Sequence, residues 1–66
     1  MIDVEKIKVG DIVRDIDEQY RHVLFLILMI HEIGDGIVTC TCLYLTRGTI
    51  SHNVALYEQW YELCNE

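Results

Sequence analysis

Hydrophobic positions are unevenly spread along this chain: sparse and mixed with polar residues at the start, unbroken from Val23 to Ile30, alternating from Ile37 to Tyr44, and aromatic near the end. Alternation with period two marks a strand with one covered face, whereas a short unbroken run fits either a strand covered on both faces or a buried helix. The residues after the run decide between them. Gly34-Asp35-Gly36 offers the positive-φ positions of a tight hairpin turn, and Ile37 to Thr46 sets Val38, Cys40, Cys42 and Tyr44 against Thr39 and Thr41. A partner strand of that pattern makes His22 to Ile33 the first strand of a hairpin.

The flanking segments complete the pattern. Gly10-Asp11 supplies a turn before a short strand from Asp11 to Asp15, and the polar stretch Asp15 to Arg21 reads as a loop with Tyr20 at its exit. Arg47-Gly48 gives a second tight turn into a fourth strand, Thr49 to Asn53. Asn53, a good N-cap residue, is expected to start one helical turn through Val54 to Gln59, and "WYEL" from Trp60 to Leu63 closes the chain as a fifth strand.

Five short strands, the "KVGDIV" opening, two tight hairpins and a single helical turn before the last strand resemble the SH3-like small β-barrel of bacterial and phage type. The resemblance covers nearly the whole chain as an order of elements and implies an all-β, five-stranded barrel in one domain, residues 1–66. It brings no functional residue set with it. The aromatic ladder and acidic loop of the eukaryotic SH3 peptide site do not align here, and no aromatic cage of the Tudor kind is visible.

Size and charge narrow the function. A chain of 66 residues buries only about 60% of its unfolded surface, so added stabilisation by association is expected. The formal net charge of −6 disfavours binding to phosphate backbones and favours a basic protein surface as partner. The longest apolar run is far below the roughly 20 residues of a membrane-spanning helix, and "MIDVEKIKVG" lacks the features of a secretory leader. Three cysteines, an odd number, fit a reducing cytoplasm.

The unbroken run has a further consequence. In a strand, Val23, Phe25, Ile27 and Met29 share one face and Leu24, Leu26, Leu28 and Ile30 the other, so one set exceeds what a single core needs. The surplus must be covered by the N-terminal segment and last aromatic turn, by a second copy in a homodimer, or by another protein. The expected partner contacts are Phe25, Ile27 and Met29 on the central strand, Asp15, Asp17 and Glu18 in the acidic loop, and Tyr20, Tyr57 and Tyr61 as aromatic anchors.

Chemical motifs are weak. Cys40 and Cys42 point to one face, and with a two-residue turn His31 stands opposite Cys40, giving three potential metal ligands; cysteine in an apolar strand is more often a small buried hydrophobe. Cys64, His52 and Asp11 do not form a recognisable nucleophile motif. The sequence therefore points to no catalytic residue, no metal and no cofactor. It points to a non-enzymatic, cytoplasmic protein-binding module that is expected to self-associate as a homodimer, of the kind a phage or mobile element uses to bind and modulate a host protein through an apolar strand face and an acidic surface, with an acidic nucleic-acid-mimicking decoy and a small metal-binding protein as alternatives.

Overall fold

A computed structural model describes residues 1–64. The fold is all-β. Five antiparallel strands form one sheet in the order β4-β3-β2-β1-β5, where β1 is Ile12–Asp15, β2 Leu24–Gly34, β3 Ile37–Tyr44, β4 Thr49–Tyr57 and β5 Tyr61–Leu63. Two single 3-10 turns complete it, Glu18–Tyr20 between β1 and β2 and Glu58–Trp60 before β5.

The predicted central hairpin is present. Gly34 pairs with Ile37 across a two-residue turn, with Asp35 at φ 56° and Gly36 at φ 74°, the left-handed pair that matches the twist of the flanking strands. A Cβ at Gly36 would stand 3.1 Å from the end of the flexible Glu58 side chain, which can give way, so the positive φ is what calls for glycine there.

Three register shifts then reshape the sheet, and none is marked in the sequence by glycine or proline. On β2, Ile27 to Met29 spans one extra residue against Cys42 to Thr41, and Ile30 to Glu32 does so again against Cys40 to Thr39. On β4, Ser51 to Val54 spans three steps where Cys42 to Cys40 spans two. Each bulge reverses the inside-outside parity of the residues beyond it and bends its strand.

The inner face is consequently Phe25, Ile27 and Ile30 on β2, Val38, Cys40 and Cys42 on β3, Val54 and Leu56 on β4, and Val13 on β1. Ile27, expected among the partner contacts, is fully buried in this core; Phe25 is half-buried and packs on it, edge-on to Tyr44 and Tyr61. Met29 alone of those three faces outward, because the bulge after Ile27 flips it away from its predicted companions.

The N-terminal segment closes the same core. Ile2, Val4 and Ile7 are buried in it, and Ile2 N–H donates to the Glu58 carbonyl at 3.1 Å. Lys8 and Asp11 pin the end of this strap: the Asp11 carboxylate, itself buried, accepts from the Lys8 backbone N–H at 2.9 Å and from Lys8 Nζ at 3.1 Å.

Two other expectations are corrected. Asn53 does not cap a helical turn. It sits inside β4 at φ 59° in the bulge, and the strand continues to Tyr57, so the turn before the last strand is Glu58–Trp60. The acidic loop is not wholly irregular either, since the Asp17 carboxylate caps the turn Glu18–Tyr20 by accepting from Gln19 N–H at 3.0 Å.

Candidate functional site

Two surfaces gather the residues able to make contacts. The first is the outer face of the sheet. Register pairs Ile12 with Leu26, Leu26 with Leu43, and Leu43 with Ile50, so one apolar row crosses β1, β2, β3 and β4 without a polar interruption. Leu24 lies beside it on β2, opposite Arg14, and Met29 stands beyond the bulge, opposite Thr41. Ile12, Leu24, Leu26 and Leu43 are half-buried, while Ile50 and Met29 are 53% and 56% exposed.

The strap cannot cover this row, because Ile2, Val4 and Ile7 are committed to the opposite face. Both faces of β2 are apolar, as the unbroken run implies, but the outward set is Leu24, Leu26 and Met29 rather than Phe25, Ile27 and Met29. Ile12, Leu43 and Ile50 join it without having been expected there. Alternation along β3 carries the signal for Leu43, which falls between the inward Cys42 and Tyr44.

The row is edged by polar groups near β5. Arg14 Nε donates to the Glu62 carboxylate, and Arg21 reaches the same oxygen at 3.4 Å. The hydrogen bond from Arg14 holds the Glu62 carboxyl below the ordinary carboxylate range, with both arginine charges adding to it.

The second surface is a cleft of about 510 Å³ lined by Asp15, Ile16, Asp17, Tyr20 and Trp60. Its walls are tied together, since Ile16 N–H donates to the Trp60 carbonyl at 3.1 Å. Asp15 accepts the Asp17 N–H at 2.8 Å, and Tyr20 N–H donates to the Asp17 carbonyl at 2.9 Å, so the acidic wall is an ordered turn. Tyr57 backs the indole of Trp60, with ring centroids 4.8 Å apart.

Of the predicted contacts, Asp15, Asp17 and Tyr20 meet in this cleft and Tyr57 supports it from behind. Glu18 is exposed but does not line it. Tyr61 turns inward against Phe25, and its phenol is pushed above the ordinary range by burial first and by the Asp15 charge next. Trp60, the residue sequence reasoning missed, takes the outward place instead, at the end of the 3-10 turn that leads into β5.

The thiols and histidines do not converge. Cys40 and Cys42 lie fully buried in the core, where burial foremost, then Cys42, pushes the Cys40 thiol up to about 11. His31 is the extra residue of the second bulge and meets Thr41 Oγ1 at 2.8 Å on the outer face, away from both thiols. Among the described residues no three histidine, cysteine or acidic side chains come together as metal ligands.

No protein-family model matches the chain, and comparison with curated proteins and with solved structures gave no match.

Proposed function

We propose that this chain is a non-enzymatic protein-binding module of the SH3-like small-barrel kind that docks an unlike, basic protein on the outer face of its sheet. The observation that carries this is the uninterrupted row Ile12–Leu26–Leu43–Ile50, with Met29 and Leu24 beside it, facing away from the core the strap has sealed. Apolar surface of this extent is where a partner gains most from excluding water.

Net charge weighs between occupants: at long range a second copy carrying the same −6 is disfavoured and a partner of net positive charge is favoured. The strand order, with β1 between β2 and β5, supports the barrel reading of the element order. A role as a phage or mobile-element accessory that modulates a host protein rests on that reading as an analogy of folds.

The test is capture of the partner with the wild-type chain, followed by affinity measurement with Ile50→Asp and Leu43→Asp. Both variants should lose binding by at least about tenfold while the melting temperature moves by only a few degrees. Undiminished binding by both, or light scattering that shows a stable dimer dissociated by the same substitutions, would overturn the proposal.

A further inference from the structure

The cleft beneath the first 3-10 turn has a composition that the outer face does not explain. Trp60 and Tyr20 are left 53% and 47% exposed, facing one open space together with the carboxylates of Asp15 and Asp17. The two carboxylates bring full negative charges, and an indole and a phenol offer π-faces that attract cations, so the cleft as a whole favours a cation over an anion.

The geometry points to an arginine side chain, presented by a basic polypeptide segment, as the occupant. A guanidinium is planar, weakly hydrated and always charged; it stacks on an indole or phenol while its edge donates to carboxylate oxygens, which a compact ammonium cannot do at once. Asp15 Oδ1 and Asp17 Oδ1 are engaged by backbone N–H groups, and the Oδ2 atoms have no hydrogen-bond partner among the described residues. The protein already makes one such contact of its own, Arg47 over the Tyr44 ring at 5.8 Å.

The cleft is preorganised for this. The Ile16–Trp60 hydrogen bond fixes the distance between its walls, the Asp17 cap fixes the turn that carries Tyr20, and Tyr57 holds the indole from behind. Little ordering therefore remains to be done on binding. The proposal uses none of the residues of the outer row, so either surface can fail without the other.

Trp60 is the only tryptophan, so its fluorescence reports on the cleft directly. The probes are three blocked tripeptides, acetyl-Gly-X-Gly-amide, with X arginine, lysine or citrulline, the last being the uncharged near-isostere of arginine. The arginine peptide should change the emission saturably with a dissociation constant on the order of 1 mM, and citrulline should bind at least about tenfold more weakly. Lysine should fall between them. Asp15→Asn and Asp17→Asn keep the Oδ1 acceptor that the backbone needs, so each should melt as wild type yet weaken the arginine peptide by about threefold or more. Equal binding of arginine and citrulline, absence of saturation at tens of millimolar, or full affinity in both folded Asn variants would each overturn the assignment.

Discussion

Leu26 and Ile27 are neighbours on β2, alike in size and hydropathy, yet Ile27 is sealed in the core and Leu26 lies on the outer face among half-covered apolar residues. The whole sheet repeats that contrast. Its inner face carries valine, isoleucine, leucine, cysteine and phenylalanine beneath the strap; its outer face carries isoleucine, leucine and methionine side chains that are half-buried or exposed, with the strap on the opposite side. Hydrophobic character alone therefore does not say which side is core. Parity, counted through the bulges, does.

The sharpest way to break the comparison is to put the same charge on each side. Ile27→Asp places an unpaired carboxylate where no water reaches, at a cost of about 4 kcal/mol or more, which rivals the entire stability of so small a domain. Circular dichroism should show an unfolded chain. Leu26→Asp removes a half-buried side chain for about 1 kcal/mol and should leave a cooperative melt at a moderately lower temperature. If both variants unfolded alike, the outer row would be a second core and the docking surface would vanish.

A smaller effect separates the faces by pH. Burial disfavours the thiolate and pushes the Cys40 thiol of the folded protein from 9.0 up to about 11, and Cys42 and Tyr61 are raised in the same direction. A group whose folded pKa is raised stabilises fully below its unfolded value and loses that contribution as pH climbs to the folded one. Stability should accordingly hold up to about pH 9 and then fall by roughly 2 kcal/mol by about pH 11, read as a shift of the urea midpoint. Cys40→Val, which keeps the core apolar, should flatten part of that fall. An unaltered slope in Cys40→Val would mean that the thiols are not held neutral by the inner face.

Much of this arrangement is legible in the residues themselves. Gly34-Asp35-Gly36 announces the hairpin, Thr39 and Thr41 between Val38, Cys40 and Cys42 announce which side of β3 is buried, and the eight-residue run announces a strand apolar on both sides. The bulges are hidden because the extra residues at Leu28 and His31 are ordinary side chains, and an inserted residue changes pairing without changing composition. Ile2, Val4 and Ile7 have no helix or strand period, so their burial depends on where the strap crosses the core. The cleft is half visible: the acids and Tyr20 stand close in sequence, but Trp60 reaches them only through the Ile16–Trp60 hydrogen bond between distant segments.

Asn53 shows the same ambiguity at a single residue. Asparagine suits a helix N-cap and also tolerates the left-handed backbone, and the bulge claims the second property. Its consequence is specific to the comparison of faces: Ser51 and Val54 both look inward although three residues apart, which an unbulged strand forbids, and only so can Ile50 lie outside while Leu56 lies in the core. Asn53→Gly should be tolerated within about 0.5 kcal/mol, since glycine adopts φ 59° freely, whereas Asn53→Val should cost about 1 to 2 kcal/mol and lower the melting temperature by several degrees. If valine were accepted as readily as glycine, the left-handed residue would not be what sets the parity of β4, and the outward place of Ile50 in the apolar row would need another cause.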